Sequence, residues 1–244
     1  MVRAVMAPPR GSRFLDDLEN PEEAHRYTKN QFERAVELSE GLQGTGGHGF
    51  LYRARLPWSE PRDTVSMVGF SWPTESLDAR GPLMREILLK LASLLPFASG
   101  HAGLAFSSDC SSVAPFGEIR EHAFRHPGID VTQWNASLGR RIDGVHWLNF
   151  LGPTLLADMG GPHELRALSS APDILAQDME GGRAVVMLGT WPKAGDTTQN
   201  DSLPDHRRLA RAWEPWLSPY REAGTLVGAS PSEARRWWRR FLDD

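Results

Sequence analysis

The sequence predicts an α/β (α+β) fold: a single globular domain with a mixed or antiparallel central sheet flanked by helices. Strand-like runs and helical patterns alternate loosely along the 244 residues, which disfavours an all-α or an all-β chain. A hydrophobic share of 40% and a charged share of 24% are typical of globular proteins. We expect residues 1–19 to form a flexible leader and residues 20–244 to form the domain.

The first elements follow from a helix start and two strand-like runs. Residues 20–23, Asn-Pro-Glu-Glu, combine a capping side chain with a proline at the first helical position and a glutamate at the third. They predict a helix over 20–40, which Gly41 ends. The runs 50–56 and 64–70 predict the two strands of an antiparallel hairpin.

A longer helix is predicted from Pro82 to Leu95. Its residues Leu83, Ile87, Leu91 and Leu94 recur at helical spacing and predict one apolar stripe. Burying such side chains stabilises a fold by roughly 1.5–3 kcal/mol each, so we expect this stripe in the core.

The second half of the chain predicts shorter elements. The predicted strands are 101–107, 144–151 and 183–188, and the predicted helices are 116–126, 153–159, 162–168 and 203–217. A last helix, about 230–242, opens on Ser-Pro-Ser-Glu, which is a capping box with proline at the first helical position. We expect this helix to dock on the domain.

Composition excludes several classes of protein. The formal net charge of −4 is not that of a general nucleic-acid binder. Cys110 is the only cysteine, so no disulfide can form within the chain. The apolar run at the N-terminus is too short for a signal peptide, and no run approaches the roughly 18 apolar residues of a membrane helix. We therefore expect a cytoplasmic protein that does not contact a membrane.

His122 and His126 are the first candidate for chemistry. They lie four residues apart on a predicted helix, where two imidazoles share a face and could bind zinc. A metalloprotease helix has its glutamate between the histidines, whereas Glu121 precedes both, and no third ligand stands out. A solvated helix face is the better interpretation, and we predict no metal site.

His101 and His146 lie in apolar, glycine-flanked strands. A catalytic base needs a partner within hydrogen-bond reach, and histidines in such settings are more often satisfied core residues. Gly100 and Gly103 favour close approach of two backbones or a positive φ. Asp196 lies in a turn, where aspartate commonly accepts from backbone amides, so we interpret it as structural.

The terminal helix mixes cations with aromatics. Its Arg-Arg-Trp-Trp-Arg-Arg run, residues 235–240, is also typical of nucleic-acid binders. Yet Ala234, Trp237 and Phe241, with Trp238 at the flank, form an apolar stripe and leave the arginines on the opposite face. Docking on the protein body is favoured, although the sequence leaves open whether Trp237 and Trp238 belong to the core or to an interface.

Several segments together resemble the type VI immunity family, a family of bacterial antitoxins. The resemblance spans roughly 47–220. The segments that carry it are Leu-Pro-Phe-Ala-Ser-Gly-His-Ala-Gly-Leu-Ala-Phe at 95–106, Gly-Val-His-Trp-Leu-Asn-Phe-Leu-Gly at 144–152, the double glycine 160–161, the Gly-x-x-Pro-x-x-Gly-Asp turn at 189–196, and the helix 203–219. Asp205 and His206 stand where the family usually has a tyrosine. The family motif residues are Gly100, His101, Gly103, Trp147, Gly152, Gly160, Gly161, Pro192, Gly195 and Asp196.

The resemblance implies a binding protein. Members of the family bind and occlude an interbacterial toxin that is encoded beside them, and they carry no catalytic residues or cofactors. The motif residues imply a scaffold, so the contact surface lies elsewhere. A nuclease that acts in the cytoplasm is the first expectation for the toxin, because an acidic surface complements a basic cleft. The candidate contacts are Asp16, Asp17, Glu19, Glu22 and Glu23.

The alternative is a hydrolase or a metal-dependent enzyme. It would use His122 and His126 or His101 and His146, and it predicts a deep pocket with converging polar groups. We expect no enzyme, no cofactor and no direct nucleic-acid contact. The sequence leaves the toxin, the binding face and the oligomeric state undetermined.

Overall fold

The computed structural model describes residues 33–39, 48–55, 65–106, 115–131, 138, 141–168, 171–220 and 229–243. Contacts along the chain divide it into two compact units, 1–73 and 74–244. The boundaries predicted from the sequence, a leader over 1–19 and one domain over 20–244, stay a prediction.

The first unit contains a three-stranded antiparallel sheet. Its strands are β1 (Glu33–Ser39), β2 (Gly49–Arg55) and β3 (Met67–Ser71), in that order. The predicted hairpin is confirmed, because β2 pairs with β3 in antiparallel register. The predicted helix over 20–40 is wrong where the structure describes it. The sequence of β1 alternates apolar and polar residues in its second half, a period of two that suits a strand paired with β2.

The second unit contains six helices and six strands among its described residues. The strands are β4 (Ser99–Ala102), β5 (Leu104–Ala105), β6 (Ile129–Asp130), β7 (Leu148–Leu151), β8 (Ile174–Met179) and β9 (Arg183–Leu188). The helices are α1 (Glu75–Leu94), α2 (Pro115–Arg125), α3 (Pro153–Asp158), α4 (Gly161–Leu168), α5 (Pro204–Trp213) and α6 (Pro231–Trp238). Four strands form an antiparallel sheet in the order β4-β7-β9-β8, and β5 pairs with β6 in parallel. The predicted α+β class with an antiparallel sheet and flanking helices is confirmed.

The continuous apolar run of β9 is explained by burial on both faces. Alternate residues Ala184, Val186 and Leu188 join a core cluster with residues of α3, α4 and α5. Val185 and Met187 join a second cluster, which contains Ala92 of α1 and side chains from 147–150. The central strands β7 and β9 therefore separate two packed layers, one that contains α3, α4 and α5 and one that contains α1.

Helix α1 corrects two predictions. It begins at Glu75 rather than at Pro82, so the proline lies inside it. The predicted core stripe is also wrong, because Leu83 and Ile87 are exposed and Leu94 is 71% exposed. Met84 and Ala92 are buried instead, with Leu88 and Leu89 partly buried against the second cluster. The helix carries apolar residues on most of its circumference, so periodicity alone does not select the face that meets the sheet.

Most of the remaining elements match their predictions. Helices α2, α3 and α4 and strand β9 lie within a residue or two of the predicted bounds, whereas β7 begins four residues later. Strand β8 was not predicted. Its signal is the pair Gly181-Gly182, both at positive φ, which turns β8 into β9. Among the described helices, none combines the length and apolar character that a membrane span needs.

The terminal helix α6 is built from the capping box that its sequence predicts. The Ser230 side chain accepts from the backbone N–H of Glu233, and the Glu233 carboxylate accepts from the backbone N–H of Ser230 at 2.9 Å. Trp237 is fully buried, while Trp238 is partly buried and donates from Nε1 to the carbonyl of Ser218 at 3.0 Å. Both tryptophans therefore pack within the unit.

Candidate functional site

Two histidines that are 45 positions apart in the sequence stack on each other. The rings of His101 in β4 and His146, ahead of β7, lie 3.8 Å apart between centroids and within 12° of parallel. The neighbouring Asn149 fixes this arrangement. It accepts from the backbone N–H of His146 at 2.9 Å and donates to the carbonyl of the same residue at 2.7 Å, while its backbone pairs with His101 across the sheet. The loop is thus folded back so that the second imidazole covers the first.

Asp130 is the third member of this cluster. It lies in β6, and its Oδ2 is 3.9 Å from Nε2 of His101. One ligand atom from each of His101, Asp130 and His146 lies within 4.8 Å of the others. The sequence did not single out Asp130, because a two-residue strand leaves no periodic signal. Only the fold brings its carboxylate to the histidines.

Burial controls the charge of this region. It lowers the pKa of His146 well below its usual value, and the nearby His101 lowers it further while Asp130 opposes the shift. Burial also lowers the pKa of His206, to about 4, so both rings are neutral near pH 7. Arg240 lies among these groups. Burial lowers its pKa to about 10, against the raising effect of Asp130 and Asp143.

One glycine lies close to the buried ring, since a Cβ at Gly144 would lie 3.3 Å from Nε2 of His146. A Cβ at Gly103 would make only ordinary contact, 3.6 Å from Cβ of His146, so the close approach expected of Gly103 is not observed. The His146 ring lines a cavity of about 30 Å³ with Arg240 and Trp238 among its other walls. This volume accommodates one or two water molecules. It is too small for an organic substrate.

The second candidate pair, His122 and His126, remains apart from the first. Its rings lie on α2 and just after it, 6.4 Å apart, and Nδ1 of His126 is 2.6 Å from the carbonyl oxygen of Gly195. Within the described residues, no third metal-ligating side chain joins them. His122 is exposed, as expected for a solvated helix face.

Asp196 organises the turn that α2 packs against. Its Oδ1 accepts from the backbone N–H of Thr198 at 2.9 Å, the bond that was expected of a turn aspartate. Its carboxylate also pairs with the Arg125 guanidinium at 2.8 Å, and that hydrogen bond holds the pKa of Asp196 well below its usual range. Gly195 precedes it at φ +67°, a conformation that side chains rarely adopt. Pro192 is partly buried in the same loop.

The other family motif residues lie in the scaffold. Gly152 ends β7 where a Cβ would lie 2.3 Å from the carbonyl oxygen of Phe97, so only glycine fits. Gly160 and Gly161 both have positive φ and join α3 to α4. Trp147 is buried and donates to the carbonyl of Gly189 at 3.3 Å. Gly100 has ordinary contacts with the Phe150 side chain, so its own lack of a Cβ is not sterically required.

The arginines of the terminal helix make contacts inside the unit. Arg240 does not lie on a free outer face, because it packs 4.0 Å over the Trp237 ring and donates from Nε to the carbonyl of Pro127. Arg236 lies 4.7 Å over Phe124 of α2, and Arg239 pairs with Asp243. These contacts correct the prediction that all the arginines face away from the protein. The predicted acidic contacts, residues 16–23, lie outside the described residues.

Comparison with known proteins gives one family and one fold. A model of the family described as type VI immunity for VRR-NUC matches residues 14–241. No curated protein matches. Among solved structures, the Pseudomonas aeruginosa T6SS protein PA0821 is similar with a TM-score of 0.67 and 18% sequence identity. That similarity covers 91% of this chain and 66% of the other, so this chain spans just under two thirds of that structure's length.

Proposed function

The chain belongs to the type VI immunity family for VRR-NUC, and we propose that it binds a VRR-NUC toxin and occludes its nuclease site. The observation that carries this proposal is the family match, which extends over 228 of the 244 residues, from 14 to 241. The similar fold of a T6SS protein is consistent with it. The adjacent gene would encode the toxin, and the pair would act in the cytoplasm of the producing cell.

Inhibition by binding fits the described residues better than catalysis does. The motif residues Gly152, Gly160 and Gly195 serve backbone geometry, and Trp147 serves the core. The alternative, a hydrolase or metal-dependent enzyme, needs a pocket for its substrate beside the histidines. The cavity at His146 holds about 30 Å³, which supports a protein without a small-molecule substrate.

Protection of a cell sets a high affinity requirement. A nanomolar complex corresponds to about −12 kcal/mol, and interfaces of that kind commonly bury about 1,600 Å² in total. Charge assists the encounter, because nucleases present basic clefts to their nucleic acid. This chain has 31 acidic against 27 basic residues. We propose that Asp16, Asp17, Glu19, Glu22 and Glu23 supply part of the complementary charge and speed association.

Co-expression and binding kinetics test the proposal. Producing the nuclease encoded by the adjacent gene should kill cells, and this chain should rescue them and co-purify with the nuclease. Changing all five acidic residues to their amides should lower the association rate and weaken its dependence on salt. Failure both to rescue and to co-purify would reject the immunity function for this pair.

A matched variant separates contacts made by these five residues, whose joint replacement is called the leader variant below, from the effect of the net charge of the protein. The control neutralises five exposed acidic residues of the second unit: Glu86→Gln, Glu121→Gln, Asp158→Asn, Asp173→Asn and Glu180→Gln. Both variants lose the same charge, so long-range attraction falls equally in both. A larger drop in the leader variant supports contact through the leader. An equal drop removes residues 16–23 from the interface while leaving the immunity function intact.

A further inference from the structure

The stacked histidine cluster is not used by the proposed immunity function. We propose that His101, Asp130 and His146 form a binding site for a divalent transition-metal ion, with Zn²⁺ as its test ligand. Three separate parts of the fold supply the side chains: the edge strand β4, the short strand β6 and the loop ahead of β7. Their ligand atoms already converge within 4.8 Å.

The donor set is suited to such an ion. Zinc sites with an open coordination position combine two imidazoles and one carboxylate with water, at metal–ligand distances of about 2.0–2.2 Å. His146 is buried, and its ring makes no hydrogen bond through either nitrogen to another described residue. A neutral imidazole has one unprotonated ring nitrogen, which is available as a donor to a metal ion. His146 lines a cavity of about 30 Å³, whereas His101 and Asp130 lie outside its lining, so the remaining coordination position would be filled by solvent from the exposed side of His101.

The geometry requires a small rearrangement. Ligand atoms around a tetrahedral zinc ion lie about 3.4 Å apart, given those metal–ligand distances. Nε2 of His101 lies 3.9 Å from Oδ2 of Asp130, so the cluster must contract by less than about 1 Å on this side. Each imidazole nitrogen donates its lone pair in the plane of its own ring, and the two ring planes are nearly parallel. One ring must therefore turn before both can bind the same ion. His101 is the one that can, because its side chain is 34% exposed, whereas His146 is enclosed.

The local charges permit a cation. Arg240 opposes it, but Asp130 and Asp143 both lie close enough to raise the pKa of that arginine. Both carboxylates therefore offset the repulsion between Arg240 and a bound cation. Gly144 keeps the approach to Nε2 of His146 free of a side chain, since a Cβ there would lie 3.3 Å from this nitrogen. The ion would then tie β4, β6 and the loop ahead of β7 together.

Calorimetric titration of the untagged full chain with Zn²⁺ tests the site. The protein is first stripped with a chelator, and we expect about one ion per chain, with a rise in the melting temperature by linkage. His101→Gln and Asp130→Asn should each weaken binding by about tenfold or more, because changing even a partner that orients a ligand has an effect of that size. Cobalt in place of zinc should give visible d–d bands, which both variants should show only at about tenfold or more higher cobalt concentration.

His122→Gln is the matched control. It removes one imidazole from the exposed pair on α2 and should leave Zn²⁺ binding unchanged. Circular dichroism of each variant checks that it is folded. The proposal is overturned if the wild-type chain shows no saturable uptake, or if His101→Gln and Asp130→Asn both bind as the wild type does. It is equally overturned if His122→Gln alone abolishes binding, since the ion would then belong to the other pair.

Discussion

The two histidine pairs differ in the way the chain brings them together. His122 and His126 are neighbours on one helix turn, yet their rings lie 6.4 Å apart and one of them bonds the carbonyl of Gly195. His101 and His146 are far apart in the sequence, yet they stack at 3.8 Å with a carboxylate beside them. Spacing along the sequence therefore pointed to His122 and His126, the pair without a third potential metal ligand among the described residues. The other pair depends on strand pairing and on the loop that Asn149 folds back.

The two regions also differ in their surroundings. The first region, around His101 and His146, contains the buried rings of His146 and His206 and the partly buried Arg240, while the second region, around His122 and His126, lies beside the Arg125–Asp196 ion pair at the surface. Desolvation dominates the electrostatics of the first region, and screened charge pairing dominates the second. Mutations and pH should consequently perturb the first region more strongly.

Trp237→Ala should have the largest effect, because this side chain supports both regions. It is fully buried, packs edge-on against Phe124 of the helix that carries His122, and lies under the Arg240 guanidinium. Truncating a buried tryptophan should lower the free energy of unfolding by about 3–5 kcal/mol, measured by urea denaturation. The control is Trp191→Ala, which removes a side chain that is 42% exposed and should change stability by about 0.5 kcal/mol or less. Equal losses would contradict the assignment of Trp237 to the core.

Acidification should have the next largest effect on stability, and the buried histidines of the first region should cause it. His206 has a folded pKa of about 4 against an ordinary value of 6.5, and this difference corresponds to about 3 kcal/mol. Above pH 6.5 the ring is neutral in both states and contributes nothing. As the pH falls from 6.5 to 4, the unfolded chain binds a proton that the folded chain excludes, so stability is lost. Urea midpoints across this range should fall, with His146 adding in the same direction.

The share of His206 in this pH dependence can be isolated. His206→Gln should flatten the decline between pH 6.5 and 4, whereas His122→Gln removes an exposed ring and should leave the decline as it is. A decline that is equally steep in both variants would mean that His206 is not the group responsible.

A glycine pair can test the strands that hold His101 against His146. Gly152 donates to the carbonyl of Ala98 at 2.9 Å and has no room for a Cβ, while Gly100 has only ordinary contacts. Gly152→Ala must shift the backbone and should cost about 1–3 kcal/mol, as other overpacked sites do. Gly100→Ala should cost less than about 1 kcal/mol, since glycine in a strand is itself unfavourable. Thermal unfolding of the two variants compares them, and equal costs would show that the approach at Gly152 is not restrictive.

The sequence predicted an element correctly where the signal for it lies within a few neighbouring residues. Capping boxes, proline starts and glycine ends located α3, α4 and α6, because these signals act within a single turn. The prediction of the buried face of α1 was wrong, because Leu83 and Ile87 fit a helical stripe as well as the buried Met84 and Ala92 do. Only contact with the sheet distinguishes the two faces.

The same limit applied to the candidate site. The histidines could be named from their glycine-flanked strands, but their partners could not. Asp130 reaches them through the parallel pairing of β5 with β6, and Arg240 through the packing of α6. Such contacts join residues up to 113 positions apart, as between Arg240 and the carbonyl of Pro127, and no pattern within a short window encodes them.

Asp196→Asn should have the smallest effect of the four changes. Asparagine keeps an oxygen that can accept from Thr198, so the substitution isolates the charge that pairs with Arg125. That pairing lowers the folded pKa, so its stabilisation is present above the unfolded value of about 3.8 and is lost as the pH falls below it. Urea midpoints of wild type and variant should differ at pH 7 and converge in strong acid.

The exposed pair Arg166–Asp178 supplies the control for that comparison. Both its side chains are more than half exposed, whereas the Asp196 carboxylate is 14% exposed and also caps a turn. Solvent screens an exposed pair, so Asp178→Asn should change the midpoint less than Asp196→Asn does. If the two substitutions have the same effect, Asp196 acts only as a surface charge, and the second histidine region has no organising ion pair of its own.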